Sequence, residues 1–126
     1  MNIPENLYYT KEHEWASVNG DIVTVGITDY AQGELGDIVF IELPKIGIET
    51  TADQPFGVIE AVKTVSDLYA PVSGKVVEIN NALVNEPSLI NKDPYGEGWI
   101  IKIQVDNKEE FNNLLDASRY KKLLEN

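Results

Sequence analysis

The sequence contains no cysteine, one histidine and one methionine, Met1. The missing thiol excludes disulfides, thiolate nucleophiles and cysteine-ligated metal, and it fits a reducing compartment. Basic residues are scarce, 10 Lys and Arg against 21 Asp and Glu, which leaves a formal charge of −11. Such a surface repels phosphate backbones and anionic lipid, and the basic residues are scattered rather than gathered into a stripe, so no nucleic acid is expected as a partner. No apolar run approaches the roughly 20 residues of a membrane helix, and no membrane association is expected. The opening Met1-Asn2-Ile3-Pro4-Glu5 has neither the cationic start and apolar run of a secretory signal nor the Arg-rich character of a transit peptide. A cytoplasmic location is therefore expected, with the mitochondrial matrix an option only if a presequence has been removed.

The length suits one domain, 1–126, able to bury a real core but too short for separate catalytic and regulatory domains. Short β-type runs dominate. Residues 14–18 and 22–27 flank Asn19-Gly20-Asp21, a hairpin signal, and follow an irregular N-terminal arm. Thr28 or Asp29 can cap a short helical turn that Gly33 and Gly36 end. Residues 37–43 read as a strand stopped by Pro44, and 56–62, 65–69 and 75–79 read as further strands. The stretch 80–91 is polar and broken by Pro87, with Leu83, Val84, Leu89 and Ile90 able to pack beneath it, and Asp93-Pro94-Tyr95-Gly96 forms a turn. A last strand alternates Trp99, Ile101, Ile103 and Val105 with Ile100, Lys102 and Gln104. In the tail the period becomes helical: Asn107 with Glu110 suggests a capping box ahead of Phe111, Leu114 and Leu115, and Asp116 or Ser118 restarts a helix carrying Tyr120, Leu123 and Leu124. The pattern predicts a mainly β domain, a sandwich or flattened β-barrel with a short connecting helix and a C-terminal helix. Trp15 and Trp99 are expected in the core.

Nothing in the chain supplies an evident nucleophile, metal cluster or phosphate loop. His13 has no Ser or Cys partner that the sequence can place beside it, and it is left out of the chemistry. The glycines 26, 33 and 36 do not make a nucleotide-binding fingerprint. One amine stands out. Lys63 lies between two apolar runs, Val58, Ile59 and Val62 before it and Val65, Leu68 and Tyr69 after it, which should bury the flanking backbone and present the lysine at the tip of a rigid turn. A lysine ammonium is no nucleophile until a base removes a proton, so a modifying enzyme would have to supply both base and activated acyl group. Lys63 is thus a candidate substrate for attachment rather than a catalyst.

The chain resembles the glycine cleavage H proteins, lipoyl carriers within the biotinyl/lipoyl-attachment domains, from about Leu7 to Leu124. The resemblance rests on His13-Glu14-Trp15, on 26–32 with 35–39, on Glu60-Ala61-Val62-Lys63 with Ser66-Asp67, on 70–74, and on Asp93-Pro94-Tyr95-Gly96 with Gly98-Trp99. It implies a lipoyl-type fold and covalent lipoate on Lys63. Glu60 and Gly74 would then be the features by which the attaching enzyme recognises the turn, and Glu14 and Asp67 the carboxylates of a pocket for the loaded arm. Biotin is disfavoured, because Val62 and Thr64 flank Lys63 where a biotinylated lysine has methionines. Two positions depart from the pattern: Ala61 where Ser is common, and Glu12 where Ser often stands near the arm pocket.

The same resemblance implies a non-catalytic carrier. Its lipoyl group would take the aminomethyl fragment of glycine from a pyridoxal-phosphate glycine decarboxylase to an aminomethyltransferase using tetrahydrofolate, and dihydrolipoamide dehydrogenase would reoxidise it. Two alternatives stay open at this point: an H-like relay that passes octanoyl or lipoyl groups to other lipoyl domains, and an unmodified structural β-domain.

Overall fold

The computed structural model describes residues 1–125. Nine strands form two antiparallel sheets: β1 (Tyr8–Tyr9), β2 (Glu14–Asn19), β3 (Ile22–Ile27), β4 (Ile38–Glu42), β5 (Glu49–Thr50), β6 (Pro55–Ala61), β7 (Val65–Tyr69), β8 (Gly74–Ile79) and β9 (Ile101–Val105). The larger sheet runs β1-β2-β3-β9-β8-β5 and the smaller β4-β6-β7, so the domain is a two-sheet sandwich and not a closed barrel. Helix α1 (Asp29–Leu35) connects the sheets. Two single turns, α2 (Ala82–Asn85) and α3 (Leu89–Lys92), precede β9, and α4 (Ala117–Glu125) ends the chain. None of these helices is long and apolar enough to cross a membrane.

Strand alternation builds the core. Val23, Val25, Ile101, Ile103 and Val76 are fully buried in the larger sheet and face Ile41, Ile59 and Leu68 of the smaller one, while Lys102 and Gln104 point away. Each fully buried Ile or Leu removes enough apolar area to stabilise the fold by about 2 kcal/mol. Leu83 and Ile90 bring α2 and α3 onto this core, which is why a polar, Pro-broken stretch holds two helical turns. A second cluster joins Tyr9, Trp15, Ala117 and Tyr120 and docks α4 on β1 and β2, with the Tyr9 and Tyr120 rings stacked at 4.6 Å.

The expected β2–β3 hairpin forms, but one residue later than the Asn-Gly signal suggests. Asn19 pairs with Ile22, and Gly20, at φ 66°, is the only central residue with positive φ, as a type II′ turn requires. Thr28 caps α1 by accepting from Ala31 N at 3.2 Å. Gly33 does not end that helix, since a single exposed glycine costs it only about 1 kcal/mol, and the stop comes at Gly36.

The tail also differs from expectation. Residues Lys108–Asn113 form a 3-10 helix, which Asn107 caps by accepting from Glu109 N. No capping box closes there. The Glu110 carboxylate instead accepts from Ser73 N at 2.7 Å and Ser73 Oγ at 2.9 Å. Leu115 bridges Tyr9 as an extended residue, and α4 starts afresh with Asp116 accepting from Arg119 N. Of the two tryptophans only Trp15 is a core residue. Trp99 is half-buried and carries the Lys102 ammonium over its ring at 5.2 Å.

Candidate functional site

Lys63 lies in the three-residue turn between β6 and β7, with Val62 and Thr64 exposed beside it and Ala61 buried before it. Backbone hydrogen bonds tie this turn on both sides. Ala61 N donates to Thr64 O at 2.8 Å, and Val62 N donates across to Asp37 O at 3.1 Å. Asp37 belongs to the short link from α1 to β4, itself held by Asn91 of α3. The Asn91 amide donates to Gly36 O at 2.8 Å and its oxygen accepts from Ile38 N at 3.0 Å. Sequence reasoning gave Asn91 no role, and a single amide within a polar stretch carries no signal of one.

The two ion pairs among the described residues are Lys92–Glu86 and Lys102–Glu78, so no carboxylate holds the Lys63 ammonium. Its aliphatic end passes over Gly36, whose φ of 79° suits glycine. A Cβ at Gly36 would lie 3.6 Å from Lys63 Cε and 3.9 Å from Nζ. Glu60 sits on the outer face of the small sheet, half-buried, in one cross-strand row with Phe40 and Val65. Gly74 is buried in the other sheet between Thr50 and Val105. A Cβ there would fall on the backbone oxygen of Gln104 and lie 2.8 Å from Ile103 Cγ2.

Glu14 and Asp67 both border one cleft of about 180 Å³ between α1 and the β7 edge, over a floor that includes Ile27, Ile59 and Leu68; Asp67 belongs to the edge of that cleft, since strand register sets it in the outward row with Val58. Leu35, next in sequence to the Gly36 that Lys63 overlies, lines the same cleft. Lys63 itself does not line the cleft; its side chain lies over the residue that follows Leu35. Glu12 lies exposed at the rim and adds a negative charge where the sequence departs from the expected serine. Glu14 also borders a second cleft, of about 400 Å³, shared with Asp53, Tyr69 and Leu114 on the side away from α1.

His13 forms part of the cleft wall and is held from behind. Its Nδ1 lies 2.8 Å from Tyr120 Oη, which in turn lies 2.7 Å from Thr28 Oγ1, the α1 cap. Its φ of 71° marks the left-handed turn from which β2 starts. Burial holds its pKa below the usual imidazole value, against the pull of Glu12 and Glu34. The imidazole thus ties α4, α1 and the cleft together, a contact across 107 residues that only the fold brings about.

Glu14 is almost wholly buried, 2% exposed. Its carboxylate accepts from Thr10 Oγ1 at 2.6 Å and from Tyr69 N at 3.2 Å. Burial nevertheless dominates and pushes its pKa up to about 8 from 4.5, with those hydrogen bonds opposing. The native chain therefore keeps a proton that the unfolded chain releases between these two values. Protonated Glu14 contributes stability that is fully present below pH 4.5 and lost as pH rises to about 8, on the order of 5 kcal/mol. Glu14→Gln removes the charge while its oxygen can still accept from Tyr69 N and its amide can donate to Thr10 Oγ1. It is expected to raise the melting temperature at pH 8.5 by roughly 5–10 °C and to change it little at pH 5. Melting curves at the two pH values check this, and equal shifts at both would contradict it.

The family model described as glycine cleavage H-protein matches residues 7–126. A glycine cleavage system H protein of Symbiobacterium thermophilum is 59% identical over 94% of this chain and 93% of its own length. One from Bacteroides fragilis is 57% identical over 96% of each. The crystal structure of a glycine cleavage system H protein from Mycobacterium marinum matches with a TM-score of 0.89 at 42% identity, covering 98% of this chain and 100% of that one.

Proposed function

The chain belongs to the glycine cleavage H-protein family, and from that premise we propose that it is the lipoyl carrier of the glycine cleavage system, with lipoate attached to Lys63. One observation carries the assignment to this lysine: an exposed amine with no ion-pair partner among the described residues, on a turn tied at both ends, lies over Gly36, the residue next to one wall of an acid-lined cleft. The residues fit the group. The Lys63 side chain is exposed, and the neighbouring cleft offers an apolar floor for a hydrocarbon chain and carboxylates for a charged end.

Attachment forms an amide between Nζ and the acyl carbon of an activated lipoate. The ammonium sheds one proton to become nucleophilic and a second as the amide forms, and the activating group leaves with its electron pair. The attaching enzyme supplies the base. Glu60, fixed by strand pairing three residues before the lysine, is the carboxylate that this enzyme reads, and Gly74 serves recognition by letting the sheet under the hairpin close. The charge moves from −11 to −12 as one cation is lost.

Bound lipoate supplies a disulfide able to carry a one-carbon amine fragment and to be left as a dithiol. The chain's own residues receive and shield it. About twelve bonds from the lysine Cα give an arm of roughly 15 Å, long enough to enter a partner's site or to fold back along Gly36 into the cleft. There Glu14 and Asp67 hold a cationic amine by charge-assisted contacts, and Ile59 and Leu68 exclude water. An arriving ammonium also offsets the burial cost of ionised Glu14. The partners are a pyridoxal-phosphate glycine decarboxylase, a tetrahydrofolate-dependent aminomethyltransferase, dihydrolipoamide dehydrogenase and the lipoate-attaching enzyme. They catalyse, and this chain carries.

Intact-mass measurement after co-expression with a lipoate ligase tests the assignment. The expected result is a gain of one lipoyl group that Lys63→Ala abolishes. No gain, or one that survives the substitution, would overturn it.

A further inference from the structure

Large apolar side chains are exposed around the Lys63 turn, with nothing in the fold to cover them: Val39 at 54%, Phe40 at 52%, Val62 at 77% and Val65 at 61%. Strand register gathers them. Phe40, Glu60 and Val65 form one cross-strand row on the outer face of the small sheet, and the next outward row is Glu42, Val58 and Asp67. The row between, Ile41, Ile59 and Ser66, turns to the other face, where Ile41 and Ile59 are buried. A bulge between Ile38 and Phe40 exposes Val39 as well, so two consecutive apolar residues of β4 face solvent.

Exposed sheet edges are ordinarily guarded by lysine. Here β4, β6 and β7 contain neither Lys nor Arg, while Glu42, Glu60 and Asp67 lie on this face and Asp37 at its end. An apolar patch rimmed by charge of one sign marks an interaction surface, and its complement has an apolar centre and a basic rim. Lys63 projects from its end, on the turn that joins β6 to β7.

We propose that Val39, Phe40, Val62 and Val65 form the docking platform for the enzyme that acylates Lys63, through an apolar surface bordered by Lys or Arg next to its active site. This deepens the lipoyl-carrier reading and rests on it. Reach selects this occupant among the partners. An enzyme that acts on Nζ itself must bring its catalytic groups to within hydrogen-bond distance of the amine and so covers the flanking Val62 and Val65 and the adjacent Phe40. A partner that works on the far end of an arm of roughly 15 Å needs no contact at the root. Acylation also removes the Lys63 charge beside this face, so the modified chain presents the departing enzyme with a changed surface.

The test uses the purified, unmodified full chain with lipoate–protein ligase, lipoate and ATP, followed by mass. Phe40→Ser is expected to raise the KM for the chain about tenfold with kcat near wild type, because the platform binds ground and transition states alike. Val62→Ser, at the most exposed of the four positions, should raise KM about threefold and cannot act by disturbing the core. Once fully lipoylated, both variants should be turned over by dihydrolipoamide dehydrogenase within twofold of wild type. Unchanged KM values in the ligase assay would overturn the proposal, and so would an equal loss in the dehydrogenase assay. If wild-type chain gains no mass, the lipoyl-carrier reading itself fails.

Discussion

Lys63→Arg is expected to bring glycine turnover by a reconstituted glycine cleavage system to background while leaving the melting temperature of the chain unchanged. Arginine keeps the charge and nearly the length, but its guanidinium stays protonated and is not acylated, so the substitution removes the attachment chemistry alone. The side chain is exposed and makes no ion pair, and the turn is held by backbone bonds from Ala61 and Val62, which arginine leaves in place. Tethering sets the size of the loss. An arm tip confined to a sphere of roughly 15 Å radius is present at about 0.1 M to a docked partner. Free lipoamide added at about 1 mM would fall short by about a hundredfold in concentration, and it also lacks the orientation that docking supplies. Release of labelled carbon dioxide from carboxyl-labelled glycine, measured with and without added lipoamide, checks the expectation. Turnover above a few per cent of wild type in the unsupplemented variant would show that the carried group sits elsewhere.

Gly74→Ala is expected to lower the melting temperature by roughly 10 °C, a loss of about 3 kcal/mol. The added methyl would collide with the Gln104 carbonyl oxygen and the Ile103 side chain, so the obstacle includes backbone of the neighbouring strand and no rotamer change relieves it. Relief would require β8 to move off β9, yet β9 pairs on its other side with β3, and Ile103 is fully buried. Thr50 adds to the constraint by donating its hydroxyl to the carbonyls of Val72 and Gly74. If Gly74 serves lipoylation through packing, the alanine variant should be acylated normally well below its lowered midpoint and fail only as it melts. A variant that melts like wild type but is acylated poorly at every temperature would mean that the attaching enzyme reads Gly74 directly. Unfolding followed by circular dichroism, with acylation assayed across the same temperatures, separates these outcomes.

Much of the architecture was legible because alternation is a local property. Residues 22–27 and 101–105 declare their buried faces at every second position, and an asparagine–glycine pair between two apolar runs announces a hairpin whatever surrounds it. The expectations that failed had more than one cause: the hairpin position and Gly33 were decided locally, Trp99 by a lysine three residues on, and Glu110 by a partner far along the chain. Glu110 lies three residues after Asn107, as a capping box requires, but Ser73 offers its carboxylate a backbone amide and a hydroxyl together, and that contact spans 37 residues. Trp99 has the composition of a core residue, but the strand beside it presents Lys102, and the ring serves as a lid under that ammonium.

The sequence by itself determined that this is a β-rich acidic domain offering one lysine between two apolar runs, because period, charge and turn chemistry are written in neighbouring residues. Only the tertiary structure decided what surrounds that lysine. The cleft that Glu14 and Asp67 border, the raised pKa of a buried Glu14 and the Asn91 clamp behind the turn depend on elements packing over a shared core, and the exposed row Phe40–Glu60–Val65 depends on strand pairing within the smaller sheet. Desolvation and cross-strand contact arise between residues tens of positions apart, and no local pattern records them.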